Sequence, residues 1–234
     1  MATFADKILQ FNKSLQLTVA LPDGIRVMNP FERNGRALKI ATAFYKKYYN
    51  DGRKRKFIIG INPGRFGAGV TGVPFTDTKR LQEKCGIAFP GITTHEPSSV
   101  FIYEMIDAYG GAAAFYADFY INSVCPLGFT KINTKGKEVN YNYYDHPALS
   151  KIVEPFMLDC LRRQIGFGND TATCYCLGTG KNFRFLQLLN KKHRLFDDII
   201  PLEHPRYIMQ YKSAQKAYYI DKYLTLLKGA GITS

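Results

Sequence analysis

The residues best suited to chemistry in this chain are few, and they stand where strands should end. Residues 60–75 read GINPGRFGAGVTGVPF, five glycines and two prolines in sixteen positions. That composition fixes a tight loop whose backbone can approach a ligand closely, and Asn62 stands at its head. Asn122 and His204 occupy comparable places, beside the segments Cys125-Pro126-Leu127-Gly128 and His204-Pro205-Arg206. These three polar side chains could face one pocket, where amides and an imidazole supply directional hydrogen bonds. A fourth segment, Gly178-Thr179-Gly180-Lys181, superficially looks like a phosphate loop. A Walker A loop requires Gly where Tyr175 stands and Ser or Thr where Asn182 stands, so an ATP site is rejected. Its glycines read as the end of a strand and the opening of a helix, whose N-terminus can still approach a phosphate. The five cysteines, Cys85, Cys125, Cys160, Cys174 and Cys176, form no metal-binding spacing. Their odd number favours reduced thiols, with Cys174 and Cys176 on one face of a strand as core residues. No metal and no cofactor is implied.

The elements that must hold these residues follow from periodicity and punctuation. Helices are expected over 5–15, 37–49, 98–108, 147–164, 182–192 and 213–227, and strands over 57–61, 119–124, 173–177 and 199–202. The stretch 129–144, rich in Asn, Lys and Tyr, is expected to be a long surface loop. Strands alternating with helices predict an α/β fold: three layers, α/β/α, around a mostly parallel sheet of about four strands. No linker or repeat divides the sequence, so one domain over 1–234 is expected. Such sheets bind ligands beyond the carboxyl ends of their strands, which is where the four loops above lie.

Charge narrows the class of ligand. The chain carries 32 Lys+Arg against 19 Asp+Glu, a formal charge of +13. Like charges repel in a compact state, so this excess points to a polyanion; nucleic acid comes first, anionic membrane second and plain solubility last. The densest basic cluster is Lys46, Lys47, Arg53, Lys54, Arg55 and Lys56, interleaved with Tyr48 and Tyr49. It reads equally as a solvated helix end and turn, far from the expected pocket. No apolar run approaches the roughly 18 to 20 residues that span a bilayer, and the amphipathic start lacks the apolar stretch of a signal peptide. A cytoplasmic protein without membrane attachment is expected.

The loop itself resembles the first motif of the single-strand-selective monofunctional uracil-DNA glycosylases: G-x-N-P-G-x-F-G, three residues, then T-G-V-P-F. Asn122-Ser123-Val124-Cys125-Pro126-Leu127 is similar to that family's strand bearing the base-reading Asn. Leu202-Glu203-His204-Pro205 is similar to its second motif, although Arg206 and Tyr207 follow where the family usually continues Ser-Pro. The resemblance runs from about Phe57 to the C-terminus and suggests a divergent bacterial subfamily.

It implies a uracil-DNA glycosylase-like fold and a monomeric enzyme of base-excision repair that hydrolyses the N-glycosidic bond of uracil in DNA. Single-stranded DNA is the implied partner, with duplex a further possibility. Asn62 would then position the attacking water, His204 would bond the developing charge on uracil O2, and Phe75 would stack on the extruded ring. Gly60 and Ile61 would border the base, and Asn122 would read O4 and N3–H. Gly64 lies where strictly uracil-specific enzymes place a bulky ring against C5, so C5-oxidised uracils or xanthine are expected as further substrates. Arg65, Lys181 and Arg206, with Tyr207, are the candidates for DNA contact; Ile208 and Met209 either fill the vacated base stack or face the core. Two other readings stand beside this one, a non-catalytic nucleic-acid-binding protein on the same fold and an N-glycosidase of free nucleosides or nucleotides.

Overall fold

The computed structural model describes residues 1–32 and 35–229. The chain begins with α1 (Phe4–Ser14), β1 (Ile25–Met28), α2 (Gly35–Tyr48) and β2 (Arg55–Gly60). Short helices α3 (Ala68–Thr71) and α4 (Thr78–Cys85) follow, then α5 (Pro97–Tyr109), α6 (Ala112–Asp118), β3 (Phe119–Ser123), β4 (Gly128–Ile132) and β5 (Glu138–Tyr141). The remainder is α7 (Pro147–Ile165), β6 (Asn169–Leu177), α8 (Lys181–His193), β7 (Asp198–Leu202), α9 (Pro205–Tyr211) and α10 (Lys216–Leu227). Among the described residues no helix is long and apolar enough to cross a membrane.

Four parallel strands form the central sheet in the order β3-β2-β6-β7, flanked by helices. They coincide with the four apolar runs of the sequence, because a strand buried on both faces needs little polar alternation. Tyr120 and Phe57 face the layer of α1, where Phe4 meets Tyr120 with ring centroids 5.4 Å apart. Tyr175 reaches the other layer and donates its hydroxyl proton to the Leu226 carbonyl of α10. All four carboxyl ends, at Gly60, Ser123, Leu177 and Leu202, lie along the same edge.

The expected loop over 129–144 is instead a hairpin. β4 and β5 pair antiparallel, and β1 joins β4 to complete a second, three-stranded sheet. Its sequence hides it because β5 is almost wholly solvated, so no apolar alternation marks it. Local turn chemistry closes it: the Asn133 side-chain oxygen accepts from the Lys135 and Lys137 amides, and Gly136 turns with φ 70°.

The basic cluster also changes meaning. Arg55 is 1% exposed, its guanidinium lying between the rings of Phe4 and Tyr49 at 4.9 and 4.7 Å and paired with both Asp51 oxygens at 2.9 Å. It also donates to the Tyr116 and Tyr48 carbonyls. Arg55 is therefore a core residue at the amino-terminal end of β2, opposite the edge where the ligand loops gather. Replacing Arg55 with Ala strands three carbonyls, those of Tyr116, Tyr48 and Arg53, leaves a void, and is expected to cost about 2–4 kcal/mol of stability in urea unfolding. Lys54→Ala, one residue earlier and exposed, should stay within about 0.5 kcal/mol of the native protein.

Candidate active site

The loops at the carboxyl edge enclose a cleft of about 490 Å³, within the range of small-ligand sites. Of the residues singled out in the sequence, Asn62, Ile61, Gly64, Phe75, His204, Lys181, Arg206 and Tyr207 line it.

Asn62 is held by the hairpin that the sequence concealed. Its Nδ2 donates to the Tyr141 carbonyl at 3.3 Å and to the Pro63 carbonyl at 3.4 Å, while its Oδ1 accepts from the Tyr143 amide at 3.2 Å. Donor meets carbonyl and acceptor meets N–H, so the amide has one orientation. Tyr143 is fully buried, and its hydroxyl donates to Asn182 Oδ1 at 2.8 Å. Asn182 in turn donates to the Leu177 carbonyl at the end of β6. The side chain that heads the loop is thus tied through two buried residues to the central sheet.

Phe75 has a left-handed backbone, φ 52°, a conformation that costs about 1–3 kcal/mol at a non-glycine residue. Thr71, fully buried, helps to impose it: its Oγ1 donates to the Thr76 carbonyl at 2.7 Å and accepts from the Val73 amide at 3.1 Å. The result sets the Phe75 ring against the end of β2 and 5.8 Å, centroid to centroid, from the His204 ring. Gly60 permits the approach. A Cβ there would lie 2.8 and 3.0 Å from the Phe75 ring and 3.4 Å from Ser123 Oγ.

Asn122 is placed differently from expectation. Pairing sets Ile59 opposite Asn122 and Gly60 opposite Ser123, so Asn122 points to the face of the sheet away from Phe75. It is 5% exposed, its Nδ2 donates to the Tyr120 hydroxyl at 2.7 Å, and its Oδ1 accepts from the Ser123 amide. It borders a separate cavity of about 10 Å³, room for one water and not for a base. Ser123 lines the main cleft in its place, with a hydroxyl that makes no hydrogen bond among the described residues.

His204 caps α9. Its Nδ1 accepts from the Arg206 amide at 3.1 Å, so a neutral ring carries its proton on Nε2. Burial, seconded by the positive charge of Arg206, lowers its pKa to about 4. The ring therefore enters the cleft as an uncharged donor. Arg206 and Tyr207 follow in the first turn, and Gln210 and Tyr211 extend the same rim. Ile208 is 0% exposed and belongs to the core, and Met209, partly buried, packs against that core. Lys181, first residue of α8, carries its Nζ 5.8 Å from the Tyr144 ring centroid. Arg65 turns away: it pairs with Glu138 at 3.3 Å and lines a different surface hollow.

Sequence reasoning missed Ser123, Glu96, Tyr144 and Tyr211. Period-2 alternation would have separated Ser123 from Asn122 had the strand register been known. Glu96 enters from the start of α5, distant in sequence from every motif, with no signal to find it.

With this geometry in place the family is clear: the uracil DNA glycosylase superfamily model matches residues 46–228, and the chain belongs to that superfamily. Among solved structures it is similar to wild-type SMUG2 from Pedobacter heparinus, at 58% identity and TM-score 0.95, over 97% of this chain and 98% of that one. No curated protein matches the chain. The family carries a DNA-repair glycosylase role, a hydrolase acting on DNA.

Two expectations follow from the site. Nitrogen NMR of His204 should report a neutral, Nε2-protonated ring at pH 6, where an unperturbed histidine is largely charged; a charged ring would contradict the cap. Gly60→Ala should push Phe75 out of place and lower turnover at least about tenfold while leaving the thermal midpoint nearly unchanged, since the ring's clash is relieved into the open cleft.

Proposed function

We propose that this protein is a monofunctional glycosylase that removes uracil and related bases from DNA by water attack, leaving an abasic site. The observation that carries this reading is the pairing of two uncharged groups across one cleft, the locked Asn62 amide and the neutral His204 Nε2–H.

Breaking the bond between pyrimidine and sugar expels the base with negative charge on its carbonyl oxygens and leaves oxocarbenium-like charge on the sugar. Asn62 Oδ1 holds the water at the anomeric carbon; an amide is a weak base, so positioning and electrostatics supply most of the acceleration. His204 donates to O2 as charge develops there. Phe75 stacks on the extruded ring, held by its left-handed backbone. No lysine nucleophile takes part, because Lys181 stands at the rim over Tyr144.

Ser123 is the group we assign to the O4 edge of the base. An amide fixed in one orientation distinguishes a carbonyl from an amino group, but a hydroxyl rotates to suit either. That freedom fits a broad range: uracil, C5-oxidised uracils and deaminated purines such as xanthine. Lys181, Arg206 and Tyr207, the last 44% exposed, form a rim suited to the backbone of single-stranded DNA or of a flipped duplex.

The test is strand scission by hot alkali after incubation with oligonucleotides containing uracil, 5-hydroxymethyluracil or xanthine. Scission should require active protein, and borohydride should trap no covalent complex. His204→Ala should slow uracil excision by about 100-fold or more, Asn62→Ala by at least as much, and Ser123→Ala by only about fivefold. Binding without scission, or free nucleoside cleaved as fast as DNA, would overturn the proposal. In a salt titration on single strands, Lys181→Ala and Arg206→Ala should each reduce the slope of log affinity against log salt by about 0.7.

A further inference from the structure

One acid in the cleft is not used by the mechanism above. Glu96 immediately precedes α5, and its backbone amide donates to Asp77 Oδ2 at 2.7 Å. Asp77 is fully buried and engaged by Arg80 through Nε and Nη2, each at 2.9 Å, so Glu96 grows from a rigid anchor. Its carboxyl lies over the glycine loop. A Cβ on Gly67 would fall 2.0 Å from Glu96 Oε2, and one on Gly64 would fall 3.0 Å from Oε1. The space that Gly64 opens is therefore filled by a carboxyl group, and any side chain at Gly67 would expel it. Among the described residues these oxygens have no hydrogen-bond or ion-pair partner, although the group lines the cleft.

The edges of a bound base are otherwise taken. On the glycosylase reading His204 takes O2 and Ser123 takes O4, which leaves the remaining edge to the loop wall at Gly64, beside the Glu96 carboxyl. On a pyrimidine that edge is C5–C6, which accepts no proton. On a purine it carries N7, the ring nitrogen whose protonation makes the base a good leaving group.

Resting on the glycosylase reading, we propose that Glu96 is a catalytic acid for purines, donating its proton to N7 of a deaminated purine as the bond to the sugar breaks. The C1′–N9 electron pair passes into the purine, the proton of the carboxylic acid goes to N7, and the oxygen of the water held by Asn62 bonds to C1′. That water's released proton returns to the Glu96 carboxylate through solvent, so the acid is regenerated and the sum is hydrolysis. Pyrimidine excision does not draw on Glu96.

The surroundings favour a protonated carboxyl near neutrality. Burial and the negative charge of Asp77 raise the Glu96 pKa to about 7, against the opposing charge of Arg206. Of the other groups packed around it, Arg80 is neutralised by Asp77 and bonded to His95 Nδ1 at 2.9 Å, and His204 is uncharged. The acid form, present below this pKa, is lost as pH rises through it.

Hypoxanthine is the suitable probe, because its ring does not titrate in this range. With wild-type protein, the rate of hypoxanthine excision divided by that of uracil should fall about tenfold between about pH 6 and 8. Glu96→Gln keeps a donor but has no proton to transfer; it should lower the ratio about 100-fold and flatten its pH dependence. A flat ratio in the wild type, equal losses on both bases in Glu96→Gln, or an unchanged ratio in that variant would each overturn the role of Glu96 while leaving uracil excision standing. Excision of neither base would instead remove the glycosylase reading and this inference together.

Discussion

The site depends on the fixing of one amide. Asn62 ends a loop rich in glycine, the least constrained chain a protein can use, yet its side chain must hold a single orientation if its oxygen is to face a water. The hairpin end supplies that constraint, with the Tyr141 carbonyl on one side and the Tyr143 amide on the other. Reversing the amide would set donor against donor and acceptor against acceptor, leaving two partly buried backbone groups unpaired at about 1–3 kcal/mol each. Tyr143 and Asn182 carry the constraint to β6, so the small antiparallel sheet and the large parallel one meet at this residue. A sheet that looks peripheral by position is therefore part of the site.

The same economy of charge runs through the cleft. A chain of net +13 would be expected to line a polyanion site with cations, but this cleft is lined by an amide, a hydroxyl, a phenyl ring, a neutral imidazole and the Glu96 carboxyl. The positive residues Lys181 and Arg206 stand at the rim. This division has a physical reason: a cation deep in a pocket binds any anion strongly, whereas cations at the rim leave the interior to directional, uncharged hydrogen-bonding groups. Arg206 serves both zones. Its amide caps His204, and its charge helps keep that ring neutral. Much of the remaining positive charge has other work, as with Arg55 in the core and Lys46 paired to Asp6.

What could be read from the sequence divides along physical lines. The four central strands were legible because burial on both faces writes an apolar run, and the loops after them were legible because Gly, Pro and Asn punctuate strand ends. The hairpin was not, since a solvated strand held by backbone pairing leaves no hydrophobic record; nor was α9, whose seven residues begin at a proline and bury only Pro205 and Ile208. Glu96 illustrates a further limit. Its place in the cleft is set by Asp77 and Arg80 across a loop, and no spacing within the chain encodes that.

Asn122 is the instructive case, because the segment reaches the cleft edge while the side chain that lines the cleft is Ser123, one position on. In a strand, a shift of one reverses the face. Resemblance located the strand-end segment by its Cys-Pro-Leu, and chemistry favoured the amide over the neighbouring hydroxyl. Neither carries the strand register, which pairs Gly60 with Ser123 and so sets Ser123 on the Phe75 side. Asn122 was nonetheless worth keeping for the fold: with Tyr120 and Gln164 it forms a buried chain of hydrogen bonds beneath the sheet. The polar residue that looked most like a reader of bases supports the strand from behind, and the plain serine beside it lines the cleft. A rotatable hydroxyl in that place imposes less directional discrimination than a fixed amide would, so this one-residue displacement changes what kind of hydrogen bond the cleft wall offers.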